Sequence, residues 1–227
     1  MKNKTLWKQV GAAAIAAAMV MSTVPATPVQ AAGGKTLAVS SQKQLNQALK
    51  TVKGKNAVIT VKAGKNVKIT IPKGTYKVTI RVVGKKAAVV NNGTVKEIVV
   101  NSKGTVTIKN NGTIKKVTVQ NAKSVSFSGN CKKAVPVVVN AEDVSMILAA
   151  PAKITAKKDV NIVLKKGAEK SSITCTKNAQ AQVDNQTKKA ISVKIADGTT
   201  LKVESGESCT ITPKGKKEDT SGEDKTD

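Results

Sequence analysis

Residues 91–96 read NNGTVK, and residues 110–115 read NNGTIK. The repeat belongs to two interleaved series of asparagines: Asn91, Asn110 and Asn130, and Asn101, Asn121 and Asn140. The members of each series recur at a nearly constant interval. A short fixed period is typical of solenoid proteins, in which each repeat forms one coil. Because equivalent positions of neighbouring coils stack about 4.8 Å apart, we expect each series to form a hydrogen-bonded asparagine ladder.

Short runs of Val, Ile and Thr recur between residues 58 and 211, and their starts are mostly nine or ten positions apart. Within each run apolar residues alternate with polar ones, which is typical of a half-buried strand. A sandwich or barrel would have similar strand spacing, but it would not hold the asparagine spacing constant as well. The sequence therefore predicts an all-β fold, a parallel β-helix (β-solenoid) of about eight coils.

A short helix is predicted near residues 41–52, before the first strand. Residues 41–44, SQKQ, fit a capping box, and Leu45, Ala48, Leu49 and Val52 follow with helical spacing on one face. Such a helix would cover the apolar end of the first coil. No equally clear cap is recognisable at the other end.

The two ends of the chain differ in composition from its body. Residues 1–31 combine early lysines, an apolar alanine-rich run and small residues before position 31, as in a secretory signal peptide. Residues 213–227 contain no large apolar residue, so we expect a disordered charged tail. The solenoid domain is then 32–212, without a transmembrane segment. Its expected location is outside the cell, secreted or attached to the cell surface.

An apolar-faced helix, then the strand VITV at residues 58–61, then asparagine-rich coils resembles a group of bacterial proteins. This is the group of secreted right-handed parallel β-helix proteins that are pectate-lyase-like. The resemblance covers nearly all of 41–212 and is one of pattern. It implies a bacterial, extracellular setting, and it leaves activity open because the group contains polysaccharide lyases, hydrolases and non-catalytic adhesive domains.

The composition excludes several kinds of chemistry. Histidine is absent, Arg81 is the only arginine, and the aromatic residues are Trp7, Tyr76 and Phe127. Histidine catalysis, His-ligated metals and stacking platforms for bases are therefore unavailable. With one arginine and few aromatics, we expect no sequence-specific nucleic-acid binding.

The acidic residues also predict no catalytic or metal site. Glu142 and Asp143 are the only adjacent acids in 32–212, and at a constant coil length Lys123 and Asn161 would lie beside them. That set has too few carboxylates to hold calcium for a lyase.

The other acids and the cysteines do not predict a metal site either. Asp184 and Glu204 are separated by about one coil length and could stack, but no further acid is expected beside them. Three cysteines, Cys131, Cys175 and Cys209, lack metal-binding spacing, and the last two alternate with Thr as inward core residues would. We therefore predict no cofactor, and at least one unpaired cysteine.

Lysine gives the strongest functional signal. The body, 32–212, carries 32 Lys or Arg and 9 acids, which is +23 of the whole chain's +25. Six doublets lie at predicted turns or strand edges: Lys85 and Lys86, Lys115 and Lys116, Lys132 and Lys133, Lys157 and Lys158, Lys165 and Lys166, Lys188 and Lys189. A dense positive surface attracts polyanions, and Lys suits diffuse attraction better than recognition of particular groups.

The sequence therefore predicts a non-catalytic solenoid that binds an anionic polysaccharide or teichoic acid as an envelope-associated or adhesive module. Charged turns that only maintain solubility and blunt sheet edges are an alternative explanation of the lysines. Two other functions are a lysine-base polysaccharide lyase and a structural rod that assembles through its poorly capped C-terminal coil. The sequence leaves the oligomeric state open.

Overall fold

A computed structural model describes residues 35–64 and 67–218. The predicted fold class is confirmed: the chain forms a β-solenoid of about eight turns with one short helix near its start. The predicted signal peptide, 1–31, lies outside the described residues, as does 219–227 of the predicted tail. No helix among the described residues has both the length and the apolar character needed to span a membrane.

The helix is α1, Gln42–Thr51. The strands are β1 Lys35–Val39, β2 Ala57–Ala63, β3 Val67–Ile71, β4 Thr75–Asn91, β5 Thr94–Asn110, β6 Thr113–Ile114, β7 Val117–Asn121, β8 Ser124–Ser128, β9 Val135–Val139, β10 Val144–Ala149, β11 Ala152–Ala156, β12 Val160–Leu164, β13 Ser172–Cys175, β14 Ala181–Asn185, β15 Ile191–Lys194, β16 Thr200–Val203, β17 Ser208–Thr212 and β18 Gly215–Glu218.

Most strands stack in two parallel sheets, and residues 75–76, residues 94–95 and β6 form a third, short stack. Sheet 1 contains β1, β2, the 78–84 part of β4, the 97–102 part of β5, and then β7, β9, β11, β13 and β15. Sheet 2 contains β3, the later parts of β4 and β5, and then β8, β10, β12 and β14. We call the turn from sheet 1 to sheet 2 the forward corner and the turn back the return corner.

Stacks of apolar side chains fill the space between the sheets. In sheet 1, one column of register partners is buried throughout: Ile59, Ile80, Ile98, Val117, Val137, Ile154, Ile173 and Val193. In sheet 2 the corresponding column is Ile69, Val89, Ile108, Phe127, Leu148, Leu164 and Asn185. β-branched residues suit these positions because their side chains pack well on a pleated surface.

The length of a coil varies more than the sequence pattern indicates. The coil that leads from Ala87 to its partner Val106 matches the period of the repeated fragments. The coil from Lys35 to its partner Ala57 is longer, and the coil from Val144 to its partner Val160 is the shortest. These changes in length decide which turn residues become neighbours.

The first asparagine ladder forms between two of its three predicted members. Asn91 and Asn110 are buried, and the Asn91 amide donates to Asn110 Oδ1 at 2.8 Å. Asn130 is exposed, and Cys131 takes the next position, where its Sγ accepts a hydrogen bond from Asn110 Nδ2 at 3.3 Å. The turn after Phe127 places the Cys131 thiol, and not the Asn130 amide, against Asn110.

Glycine at two successive turns makes this ladder possible. A Cβ on Gly112 would lie 2.1 Å from the carbonyl oxygen of Gly93, and one on Gly93 would lie 2.5 Å from that of Pro72. The turns therefore stack backbone on backbone, and the Asn91 amide also reaches the Gly93 carbonyl at 3.0 Å. This close approach explains why the repeated fragments contain Asn-Asn-Gly.

The second predicted ladder does not form. Asn101 and Asn121 are register partners across a bulge, and Asn140 donates its backbone N–H to the Val119 carbonyl. Within the described chain, no hydrogen bond links the side chains of this series. The buried polar group at this corner is Ser102, whose hydroxyl donates to the Gly84 carbonyl.

Asn185 performs at the C-terminal end the role that Asn91 performs earlier. It is fully buried, and its amide donates to the carbonyls of Lys189, Val203 and Glu204 at 2.9 Å each. Its Oδ1 accepts from the hydroxyl of Thr187 at 2.8 Å. The repeat spacing does not single out Asn185, because its partners lie in its own turn and in the antiparallel end of the chain, and not at the equivalent position of a neighbouring coil.

The predicted N-terminal helix is confirmed, and it closes the first coil. The helix begins after Ser41, whose Oγ accepts from the N–H of Gln44, and it buries Leu45, Ala48 and Leu49. Gln42 contacts the outer edge of β3: its Nε2 donates to the Thr70 carbonyl at 2.8 Å, and the Thr70 N–H donates to its Oε1 at 2.6 Å. One amide side chain thus replaces the strand that this edge lacks.

The C-terminal end also has a cap, which corrects the expectation of a poorly closed last coil. Strand β16 pairs antiparallel with β15, β17 with β14, and β18 with β17. The last strand of each parallel sheet, β14 or β15, therefore has an antiparallel partner along its outer edge. Strand β18 also lies past the predicted domain boundary at 212.

Replacing Asn91 by Ala should lower the free energy of unfolding by about 1–3 kcal/mol, because the Gly93 and Asn110 groups lose a buried partner. Asn130→Ala is the matched control, since this exposed asparagine should change stability by less than about 0.5 kcal/mol. Chemical denaturation measures both. Equal losses would contradict the assignment of the ladder to Asn91 and Asn110.

Gln42→Ala should expose the β3 edge, lower the free energy of unfolding by about 1 kcal/mol and speed hydrogen exchange at the Thr70 amide. Gln42→Glu should retain protection of that amide, because a carboxylate still accepts its hydrogen bond. Gln47→Ala, an exposed change on the same helix, is the control. Unchanged Thr70 exchange in Gln42→Ala would disprove the edge contact.

Candidate polyanion-binding surface

All twelve lysines of the six predicted doublets are exposed. The forward corner holds Lys85 and Lys86, and Lys157 and Lys158. The return corner holds Lys115 and Lys116, Lys132 and Lys133, Lys165 and Lys166, and Lys188 and Lys189. Four of the six doublets therefore lie along one corner, which the sequence spacing did not reveal.

Two single lysines, Lys77 and Lys96, align with Lys115 of a doublet and extend the return corner. Tyr76 pairs with Val95, and Val95 pairs with Ile114. Each of these three residues is followed by an exposed lysine, namely Lys77, Lys96 and Lys115. We call these three lysines the lysine column. Since successive coils are about 4.8 Å apart, it repeats one ammonium group per coil along the solenoid axis.

The forward corner has a shorter series of lysines on neighbouring coils, which includes Lys85 and Lys123. Gly104 packs against the Lys85 carbonyl, and Lys123 donates its N–H to the Gly104 carbonyl at 3.0 Å. The next coils interrupt the positive charge, because Glu142 lies there and binds Lys158 at 2.7 Å. This ion pair lowers the pKa of Glu142 and raises the pKa of Lys158.

Few lysines have a carboxylate partner. Ion pairs in 35–64 and 67–218 join Lys116 to Glu97, Lys158 to Glu142 and Lys216 to Glu207. Other acids accept hydrogen bonds from turn N–H groups: Asp159 from Gln180, Glu169 from Gly167 and Asp197 from Thr199. Such bonds lower the pKa of Glu169 and of Asp197. The acids therefore stabilise turns and leave most of the lysine charge uncompensated.

Arg81 belongs to a polar patch on the outer face of sheet 1. Its Nη2 donates to Gln120 Oε1 at 3.0 Å, two coils away. Between them, Glu97 binds Lys116 at 3.0 Å and accepts from the Thr118 hydroxyl at 2.6 Å. The Glu97 side chain is only 19% exposed. These contacts tie three coils together, so the single guanidinium has a structural role.

One expected neighbour of the acidic pair Glu142 and Asp143, Asn161, is wrong. Because the coil is unusually short there, Asp159 and not Asn161 stacks next to Asp143, whose N–H donates to the Asp159 carbonyl at 3.1 Å. A small polar cavity of about 190 Å³ adjoins both aspartates. The described residues contain no group of three or more His, Cys, Asp or Glu that could hold a metal ion.

The second acidic pair, Asp184 and Glu204, does not stack. Strand β17 runs antiparallel, so Ser208 lies opposite Asp184 and donates its hydroxyl to Asp184 Oδ1 at 3.1 Å. The expected partner, Glu204, lies in the turn before that strand. The direction of the last strands, which the spacing cannot reveal, decides this contact.

A cleft opens at the return corner where the lysine column ends. Residues 110–114 form one wall, residues 130–135 form the other, and the volume is about 610 Å³. Strand β6 stacks on β5, but no described strand pairing continues from β6 into 130–134. The cleft lies between the turn that contains β6 and the turn at 129–134, which forms no strand that could stack on β6.

The three cysteines form no disulfide, and they differ in exposure. Cys175 and Cys209 are fully buried, as the sequence predicts, and burial raises the pKa of Cys175 to about 11. Cys131 lies in the wall of the cleft and is partly exposed. Burial raises its pKa above the ordinary 9.0, and the hydrogen bond from Asn110 opposes that shift.

Comparison with known proteins gives no family: no protein-family model, curated protein or solved structure matches this chain. The surface therefore has to be interpreted from its own geometry.

Alkylation of the folded protein should label Cys131 alone, because Cys175 and Cys209 have no exposed surface. The thiolate is the nucleophile, so with a raised pKa the labelling rate should keep rising beyond pH 9. Mass spectrometry of peptides after a timed iodoacetamide reaction measures both effects, with denatured protein as the control. Labelling of Cys175 before Cys131 would contradict this arrangement.

Proposed function

We propose that this protein is a non-catalytic extracellular module that binds an anionic polysaccharide or teichoic acid along its return corner. The observation that carries the proposal is the lysine column together with four exposed doublets on that one corner. A linear polymer with repeating negative charge can follow such a series from coil to coil. The bacterial, secreted or cell-surface setting is part of the proposal and rests on the sequence of residues 1–31 and on the pectate-lyase-like pattern.

The energetics favour an external polyanion. Two ammonium groups on neighbouring coils repel each other by about 1 kcal/mol in water. Ion pairs in the described chain involve Lys116, Lys158 and Lys216 and no other lysine, so this repulsion has little internal compensation. A bound polyanion would relieve it, and affinity would then depend strongly on salt.

Lysine also limits the kind of recognition. An ammonium group is a compact charge without the planar fork that gives arginine its geometric selectivity. The one guanidinium is occupied by Gln120. We therefore expect the protein to select for charge density and polymer shape more than for one anionic group.

The lyase and the self-assembling rod have less support. The lyase needs a base beside a calcium site, whereas Arg81 and Lys116 are engaged in the polar patch on sheet 1. The rod needs an open C-terminal coil, whereas β16 and β17 cover the last strands of both sheets.

The test is chromatography of the mature protein on immobilised polygalacturonate and glycerol-phosphate teichoic acid. Retention is expected at about 0.05 M salt, and elution before about 1 M, where the screening length falls to about 3 Å. The triple variant Lys77→Gln, Lys96→Gln, Lys115→Gln should elute at clearly lower salt. No retention of the unaltered protein, or retention that persists at about 1 M, would disprove the proposal.

A matched control removes the same charge elsewhere. Lys43, Lys50 and Lys53 are exposed near α1 and belong to neither corner. Their replacement by Gln should shift elution much less than the change in the lysine column. An equal shift would show that net charge alone matters and would contradict the assignment to the return corner. Retention on double-stranded DNA but on neither polymer would also contradict the proposed partner.

A further inference from the structure

The cleft between residues 110–114 and 130–135 differs from the rest of the return corner because it is concave. Its volume of about 610 Å³ lies in the range of small-molecule sites, roughly 300–1,000 Å³. The lysine column can attract a polymer, but it has no enclosed space that could hold one unit of it. The cleft supplies that space, and its lining includes Ile114, the residue before Lys115.

The chemistry of the walls fits an anion that also carries hydroxyl groups. Lys132 and Lys133 line the cleft, both are exposed, and no carboxylate of the described chain pairs with either of them. None of the lining residues is acidic. Asn130 and Thr113 add an amide and a hydroxyl, which can exchange hydrogen bonds with alcohols.

The Asn110 wall is rigid. Asn110 is buried, accepts from Asn91 and donates to Cys131, so its amide is fixed. The neighbouring Asn111 donates to Asn92 Oδ1 at 3.0 Å, in a second, exposed ladder that the sequence spacing did not single out. A ligand would therefore meet one preorganised wall, which adds little ordering cost, and one wall whose lysine side chains become ordered on binding.

We infer that this cleft is a subsite for a single hydroxylated anionic unit, a uronate or a polyol phosphate, held through Lys132 and Lys133. The inference rests on the proposed function, since the unit would be one repeat of the polymer bound along the lysine column. The cleft fixes the register of that polymer on the solenoid. Lysine pairs equally with carboxylate and phosphate, so the shared chemistry defines the ligand.

Cys131 provides a direct readout, because it is the one partly exposed thiol of the described chain and it lines the cleft. Its alkylation rate is measured at constant pH and ionic strength with and without galacturonate, glycerol 1-phosphate, inorganic phosphate or neutral glucose. A unit that fills the cleft should slow alkylation about tenfold when it is present at about nine times its Kd. Glucose should not protect, and protection by one of the two hydroxylated anions but not the other identifies the source of the ligand.

The variant Lys132→Gln, Lys133→Gln should lose this protection, whereas Lys188→Gln, Lys189→Gln, an equal charge loss at the same corner, should retain it. Protection is expressed as the ratio of rates within each variant, which cancels any change in thiol reactivity. Protection by inorganic phosphate equal to that by glycerol 1-phosphate would show a general anion site and overturn the hydroxyl assignment. Absence of protection by any small anion would overturn the subsite.

The same two variants distinguish a failure of the subsite from a failure of the proposed polymer binding. If polymer retention is present and equal in both variants while Cys131 is never protected, the corner binds polymer and the subsite is wrong. If small anions protect Cys131 but neither polymer is retained, the subsite holds and the polymer function is wrong.

Discussion

Each coil of this protein must place its apolar side chains directly on those of the coil before it. The column from Ile59 to Val193 shows the constraint, since eight successive coils keep a β-branched residue at one buried position. Most inward positions are thereby apolar, and most variation is confined to the outer faces and the corners. Most charge and all the irregularity in coil length therefore collect where a partner can reach them.

Irregular corners give the solenoid its individual sites. The short coil between Val144 and Val160 brings Asp159 beside Asp143, and the turn at 129–134, which contains no strand, leaves a cleft beside β6. Buried amides and hydroxyls bind the backbone where turns of different shape meet, as Asn185 does. The polar patch around Glu97 and Arg81 joins three coils on an outer face by similar means.

The sequence predicted a large part of the fold because both of its signals are local. Alternating Val, Ile and Thr identify strands, and the repeated Asn-Asn-Gly identifies stacked turns. Prediction failed where one residue more or fewer in a turn changes the partner. Asn130 misses the ladder for this reason, and Cys131 occupies the place beside Asn110. The doublets were recognisable as exposed lysines, but their concentration on one corner depends on the path of the whole coil.

The sequence by itself determined the fold class, the amphipathic helix with Leu45 and Leu49, the excess of lysine and the inward position of Cys175. These follow from periodicity and composition, which act between near neighbours. Only the tertiary structure decided that Gln42 closes the β3 edge, that the last strands run antiparallel, and that Lys132 and Lys133 border a cleft. Such contacts join residues from different coils, and their register depends on the accumulated length of every turn between them.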